Sequence, residues 1–390
     1  MGADTTTWRD TRKPLWPLAL LVPVLPFLAW ALWRAGAGAW AWWLTPLVVF
    51  GAIPVADLLL GDNRENPPDE AMPALAADGY YRWLTYLWLP AQYAALVLCC
   101  AVWAAGGLSW VAAAGLVATV GVVDGIAINT AHELGHKRET AERWLSKIAL
   151  APTAYGHFYV EHNRGHHTRV ATPEDPASSR LGESFWAFWP RTVLGSLRSA
   201  WRLETSRFRL RGRNPWTWRN DVLNAWAMTV LLYAALALVF GPGVLVFLAL
   251  QAVTGFSLLE VVNYLEHYGL ARQRTAAGRY EKVDPRHSWN SDRTVTNVFL
   301  FQLQRHSDHH ANPLRRYQTL RSFEASPQLP AGYATMVVTA LVPPLWRRVM
   351  DHRVLAHYGG DLELANVHPP ARDRLRGRRR PAASPESYAG

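Results

Sequence analysis

Histidine is the residue type whose number and spacing in this sequence point most directly to chemistry. The chain has 390 residues and 14 histidines, and the first histidine is residue 132. Nine of the fourteen fall into four compact groups. The groups are His132 and His136; His162, His166 and His167; His267 alone; and His306, His309 and His310. Imidazole nitrogen suits iron, copper, zinc and nickel, so this pattern predicts metal binding.

The spacing within the groups is that of side chains that share one face of a helix. Residues i and i+4 lie one above the other on a helix, and three of the four groups contain such a pair. A histidine next to another histidine, as at His167 and His310, extends the reach to a second ion. Nine imidazoles are too many for one metal, so we predict two ions with four or five ligands each. The two cysteines, Cys99 and Cys100, are adjacent in an apolar run, so no thiolate metal site or disulfide framework is indicated.

The remaining five histidines have no partner at ligand spacing. They are predicted to be ordinary polar residues, and the likeliest to contact the ligands are His157 and His287. The five are His157, His287, His352, His357 and His368.

A competing interpretation comes from residues 132–136, which read HELGH and match the HExxH motif of zinc proteases. In that motif the glutamate, here Glu133, is a general base. A zinc protease needs only one further ligand, however, and would leave at least six clustered histidines unexplained. We therefore keep the membrane zinc protease as a remote alternative.

Long apolar helices must position these histidines. Six stretches have the roughly 18–23 residues that a membrane span requires, and very short connections at 35–37, 106–107 and 241–242 join them in pairs. The stretches are 15–33, 38–60, 84–105, 108–130, 222–240 and 243–265. A seventh apolar stretch, 333–346, is broken by Pro343 and Pro344 and is predicted to be interfacial or buried. The sequence thus predicts an all-α integral membrane protein of three helical hairpins with a histidine-rich cap.

The distribution of lysine and arginine predicts the orientation of these spans. Under this topology 39 of the 40 basic residues lie on one side, and only Arg34 lies on the other. The positive-inside rule then places both termini, the long loops and all four histidine groups in the cytoplasm. The net charge of +10 follows from this topology and does not indicate nucleic-acid binding. The predicted parts are an N-terminal segment, 1–14, a membrane domain, 15–366, with cytoplasmic loops 131–221 and 266–366, and a disordered basic tail, 367–390.

The histidine groups resemble those of the integral-membrane diiron family of fatty-acid desaturases, hydroxylases and hydrocarbon monooxygenases. Within that family, the stretch NYLEHYG at 263–269 is similar to alkane 1-monooxygenases, because desaturases generally share only the other three groups. Residues 129–137, 161–176 and 303–310 also resemble that family. The resemblance implies that the nine histidines hold two non-haem irons. It further implies terminal hydroxylation of medium- or long-chain n-alkanes with O2, and a diiron fatty-acyl desaturase or hydroxylase is the nearer alternative.

The resemblance also implies an electron donor. Splitting O2 into an alcohol oxygen and water takes two electrons and two protons. Family members receive the electrons from rubredoxin, which an NADH-dependent reductase reduces. No cysteine follows Cys100, so a separate rubredoxin is implied. The arginine-rich stretch 198–219 is a candidate surface for this acidic protein, although the positive-inside bias explains it equally well.

Other residues are expected to support the site. Four carboxylates adjacent to the ligands are candidates to accept hydrogen bonds from imidazole N–H groups and fix their tautomers. They are Glu133, Asp175, Glu266 and Asp308, and the alternative for each is a solvated acid or an ordinary ion pair with one of the many arginines. An alkane has no polar group, so only the shape of an apolar channel can position it. By resemblance, Val49 in the second span matches the position that limits chain length in the family; the alternative is that Val49 faces lipid.

Overall fold

The computed structural model describes residues 8–377, and helices are the regular secondary structure of that part of the chain. Extended backbone occurs there only as isolated bridges, such as Asp62 with Arg293. Six helices are long and apolar enough to cross a membrane, which confirms the predicted number. Spans one to six are Lys13–Ala37, Ala39–Leu60, Gly79–Ala105, Trp110–Gly135, Asp221–Phe240 and Val244–His267.

Spans three and five begin before their predicted starts because polar residues cap them outside the apolar runs. Span three begins five residues earlier than its apolar run, since the Asp78 carboxylate accepts a hydrogen bond from Tyr80 N. Asn220 likewise caps span five before its predicted start, whereas Ser109 caps span four just inside the predicted start. Hydropathy therefore finds the apolar part of each span and misses the capped turn.

Span four is the centre of the bundle. In the most apolar 18-residue stretch of span four, 72% of the residues are buried inside the protein, whereas the corresponding value for spans two and five is 22%. Small residues let span six approach it closely, as is common between membrane helices. A Cβ added to Gly121 would lie 2.4 Å from Thr254 Cβ, and one added to Gly125 would lie 2.9 Å from Gly255 O. The two spans that carry the first and third histidine groups are therefore packed directly together.

Shorter helices fill the long connections. The 333–346 stretch divides into two helices because Pro343, which has no N–H to donate, begins the second one. Tyr333 and Val337 are buried and Val338 is exposed, so the first of these helices is partly covered. The longer members of this set are Met72–Ala77, Thr140–Leu150, Phe185–Arg209, Thr294–Phe299, His306–Ala311, Tyr333–Ala340, Pro343–His357 and Arg372–Gly377.

The segment predicted to be a disordered tail starts at residue 367, but the structure describes its first part as ordered. His368 N donates to Leu181 O, and Leu375 is buried in an apolar cluster. The composition of this segment is basic, yet two apolar side chains, Ala371 and Leu375, anchor it. Residues 378–390 of the predicted tail lie outside the described part of the chain, as do residues 1–7 of the predicted N-terminal segment.

Candidate metal centre

Four helical segments bring the histidine groups to one end of the bundle. His132 and His136 stand at the end of span four, and His267 is the last residue of span six. The second group lies on a widened, π-helical turn, Glu161–His166, and the fourth on the short helix His306–Ala311. A π-helical turn is rare and occurs mostly at functional sites.

Five of the nine histidines form one ligand set. One ring nitrogen from each lies within 4.8 Å of the others, for His132, His136, His162, His167 and His309. The Nε2 atom of His167 is 3.0 Å from Nε2 of His162 and 3.0 Å from Nε2 of His309. The Nε2 atoms of His132 and His136 are buried and have no hydrogen-bond partner among the described residues. We name this set the five-histidine group.

The other four histidines form a second, fully buried set. His166, His267, His306 and His310 also place one ring nitrogen each within 4.8 Å of one another. The Nε2 atom of His310 is 2.9 Å from Nε2 of His306 and 3.2 Å from Nε2 of His166. We name this set the four-histidine group. Every histidine that the sequence predicted as a ligand therefore belongs to one of two groups.

The donor atoms in both groups fit a metal ion. A ring nitrogen carries either one hydrogen or one lone pair, so Nε2 of His167 and of His310 can satisfy only one of its two nitrogen contacts. A cation between the nitrogens removes that conflict. Burial lowers the pKa of His162, His167 and His309, and neighbouring histidines lower it further. Neutral imidazole, the form that binds metals, is thus the form that the site favours.

Two contacts orient ligands of the four-histidine group. The Asp175 carboxylate accepts from Nδ1 of His166 at 2.9 Å and from the Ser178 hydroxyl at 2.6 Å. Burial alone would raise the pKa of Asp175, but His166 and Ser178 outweigh it and lower that pKa. The backbone carbonyl of His287 lies 3.4 Å from Nδ1 of His267. Both contacts leave the Nε2 atom of the ligand free to face the group.

Two of the other predicted supporting acids, Glu133 and Asp308, form ion pairs instead of contacting the ligands. Glu133 pairs with Lys137 at 3.0 Å, and Asp308 pairs with Arg315 at 2.6 Å. Neither carboxylate contacts an imidazole in the described part of the chain, so both have the ordinary ion-pair role. The pairing with Lys137 also removes Glu133 from the free position that a protease general base requires.

The histidines outside the two groups have other surroundings. The His287 side chain bonds Glu281 at 2.9 Å, so its link to the ligands runs through its backbone alone. His157 is buried beside Tyr155, with ring centroids 4.2 Å apart, and neither of its nitrogens has a partner among the described residues. Burial lowers the pKa of His157 to about 4. His157 is therefore a neutral side chain that packs against Tyr155.

An apolar cavity is lined by histidines of both groups. Its walls come from spans one, two, four and six and from the helix Tyr333–Ala340. Its inner end presents His132 and His162 of the five-histidine group together with His306 and Glu266. Val49 is 5% exposed and lines this cavity, so it does not face lipid. The cavity walls were not identified from the sequence, because they combine residues far apart in the chain.

A second, polar cavity adjoins the four-histidine group through Asp175. Its wall includes Asp175, which bonds His166, and five arginines. Arg169 and Arg191 form ion pairs with Glu161 and Glu183. The other three form no ion pair with a carboxylate among the described residues, so this cavity carries excess positive charge. The five arginines are Arg169, Arg180, Arg191, Arg198 and Arg202.

Comparison with known proteins adds to this geometry. A family model described as fatty acid desaturase matches residues 108–340, a range that contains all nine clustered histidines. The chain is 46% identical over 368 residues to the alkane 1-monooxygenase of Ectopseudomonas oleovorans, which covers 93% of this chain and 91% of that protein. It is 47% identical over 330 residues to the alkane 1-monooxygenase of Acinetobacter baylyi, covering 85% and 81%. It is 44% identical over 377 residues to alkane 1-monooxygenase 1 of Alcanivorax borkumensis, covering 95% and 92%.

Proposed function

The chain belongs to the fatty acid desaturase family, and because the relatives that match nearly its whole length are alkane 1-monooxygenases, we propose that it hydroxylates n-alkanes at the terminal carbon. The family resemblance read from the histidine motifs is thereby confirmed. The reaction consumes O2, two electrons and two protons and yields a 1-alkanol and water. The observation that carries the proposal is the apolar cavity whose inner end is formed by imidazoles of both histidine groups.

Two non-haem irons are the proposed cofactors. The five-histidine group holds one and the four-histidine group the other, with all nine histidines as ligands. Iron supplies the redox chemistry that O2 activation requires when it is bound. The residues of the chain hold the imidazoles neutral, fix their tautomers through Asp175 and the His287 carbonyl, and exclude water by burial.

The cavity positions the substrate by shape. Each methylene that leaves water contributes about 0.8 kcal/mol to binding, but lipid offers the same gain, so burial alone gives little selectivity. Cavity length decides which alkanes present a terminal carbon to the histidines. Val49 is small and lies on the wall in span two, which supports medium- and long-chain substrates.

A rubredoxin, reduced by an NADH-dependent reductase, is the proposed electron donor. The sequence pointed to residues 198–219 as its docking surface. Within that range, Arg198 and Arg202 line the polar cavity that also contains Asp175, and Asp175 bonds His166 of the four-histidine group. An acidic protein at this cavity would lie close to the metal centre. Steering of this kind weakens as salt rises.

The cytoplasmic face of a bacterial inner membrane is the proposed location of the centre, with the spans arranged as three hairpins. The basis is the bias of the basic residues, of which 39 lie on the side of the histidine groups. The short connections 38, 106–109 and 241–243 then lie on the opposite face.

Reconstitution with defined components tests the proposal. The purified protein, loaded with iron and supplied with rubredoxin, its reductase, NADH and O2, is given a series of n-alkanes, and the products are identified by gas chromatography with mass spectrometry. We expect 1-alkanols, no product when rubredoxin is omitted, and a rate that falls as ionic strength rises.

The same reconstitution with fatty acids provides the decisive comparison. Unsaturated or hydroxylated fatty acids in place of alkanols would replace the proposal with the acyl alternative. If alkanols form at the same rate without rubredoxin, the proposed reaction stands but rubredoxin is not the electron donor.

A further inference from the structure

The two histidine groups are unequal, and the smaller one has a carboxylate beside it. The five-histidine group has five nitrogen donors and the four-histidine group has four. Glu266 precedes the ligand His267 on span six and is 2% exposed. Its Oε2 atom lies 3.2 Å from Nε2 of His306.

That contact involves the same nitrogen that faces the other ligands. Nε2 of His306 is 2.9 Å from Nε2 of His310 and therefore points into the four-histidine group. When this nitrogen uses its lone pair to bind an ion, it carries no hydrogen to donate. The contact with Glu266 then cannot be an N–H···O hydrogen bond. Without an ion the two atoms share a hydrogen, whereas an ion next to both atoms joins them directly.

Glu266 also differs from the other acids near the ligands. Glu133 and Asp308 are neutralised by Lys137 and Arg315, whereas Glu266 has no lysine or arginine partner in the described part of the chain. Its Oε1 atom is buried and has no close hydrogen-bond partner among the described residues, and the neighbouring phenol of Tyr333, a neutral group, interacts with the carboxyl group. A buried carboxylate without a cationic partner is costly. A metal ion in the four-histidine group would offset that cost.

We propose that Glu266 donates a carboxylate oxygen to the ion held by the four-histidine group. This inference rests on the proposed metal centre. It gives each ion five donors and makes the two sites chemically different, with nitrogen alone at one and nitrogen plus oxygen at the other. Mixed imidazole and carboxylate ligation is typical of non-haem iron sites that react with O2.

The position of Glu266 relates it to the proposed substrate cavity. The carboxylate lines the inner end of the apolar cavity together with His306. It therefore lies where the four-histidine group meets the apolar cavity, whereas Asp175 bonds Nδ1 of His166 and lines the polar cavity.

Metal analysis and spectroscopy of the full-length protein test the proposal. Wild type, Glu266→Ala and the isosteric Glu266→Gln are loaded with 57Fe and examined by Mössbauer spectroscopy alongside the iron content per chain. We expect wild type to hold two irons. In both variants one of the two iron signals should change or be lost, while the signal of the five-histidine site stays as in wild type.

Two further measurements separate ligation from general damage. Glu260→Gln removes another buried carboxylate of span six, one that accepts from Tyr155 at 2.7 Å and from Thr192 at 2.8 Å, and it should leave both iron signals unchanged. Formate added to Glu266→Ala should restore the altered signal, because it supplies the missing carboxylate in the space of the deleted side chain.

The possible results separate the proposed role of Glu266 from the proposed function. Two irons with unchanged signals in both Glu266 variants would overturn the carboxylate donor and leave the nine-histidine centre intact. A wild-type protein that holds fewer than two irons would instead contradict the proposed function itself. A Glu266→Ala chain that does not fold leaves Glu266→Gln, which keeps the side-chain volume, to decide the question.

Discussion

Val49 is the residue that most directly connects a side chain to substrate choice. It lies on the cavity wall, two turns of span two away from the carboxylate of Asp57. Replacing Val49 with tryptophan fills part of the cavity with an indole ring, so the longest alkanes can no longer bring their terminal carbon to the histidines. We expect Val49→Trp to shift the upper chain-length limit downward by several carbons, measured as the product profile over an alkane series.

The matched control is Leu47→Trp, since Leu47 lies on the same helix but is 63% exposed on its outer face. That variant should keep the wild-type chain-length profile. An unchanged limit in Val49→Trp would remove Val49 from the substrate channel.

At this scale the sequence predicted the histidines well and their supporting residues unevenly. The spacing within a helix is a local property, so eight of the nine histidines could be chosen without knowing the fold, while His267 was chosen from the stretch at 263–269 that resembles the family. The ion pair of Glu133 with Lys137 was not predicted, although a spacing of four residues on a helix permits it. The 3.2 Å contact of Glu266 with His306 was not, since 40 residues separate them and only the tertiary structure joins them.

The packing of span four against span six decides how the histidine groups are spaced. Gly121 and Gly125 have the GxxxG spacing that permits close helix contact in membranes, a signal present in the sequence that hydropathy alone does not use. A methyl group on Gly121 would meet Thr254 Cβ at 2.4 Å and force the spans apart. We expect Gly121→Ala to cost about 1–3 kcal/mol of stability and to weaken iron retention, measured by thermal unfolding and by iron content.

Gly51→Ala makes the same change in span two, where the added methyl group would meet nothing within 4 Å. Gly51→Ala should leave the thermal stability and the iron content at the wild-type level. Equal stability of the two variants would mean that the Gly121 contact does not set the helix spacing.

The helices themselves were predictable to different degrees. Long apolar runs identified all six spans, because a membrane requires continuous hydrophobic length. The helices around the site were less accessible to this approach. The Glu161–His166 turn and the short helix His306–Ala311 are held by contacts distant in sequence, such as Arg164 with Glu204 and Asp221, and Arg305 with the carbonyls of Asn63 and Leu320.

Membrane orientation belongs to the whole molecule and can be measured with two single substitutions. Ala105, at the end of span three, and Ala277, in the loop after span six, are both exposed, while the native Cys99 and Cys100 are fully buried. We expect a membrane-impermeant maleimide to label Ala277→Cys in inverted inner-membrane vesicles and Ala105→Cys in intact spheroplasts. Labelling of both from the same face would contradict the proposed topology.

The apolar cavity between the membrane spans has a kinetic consequence for the whole enzyme. An alkane that reaches the histidines from between the spans is drawn from the bilayer, so the relevant substrate concentration is its mole fraction in lipid. The Michaelis constant expressed per volume of buffer then varies with the amount of lipid present. Such an enzyme obeys surface-dilution kinetics: added phospholipid that contains no alkane acts as a diluent, although it binds nowhere in the site.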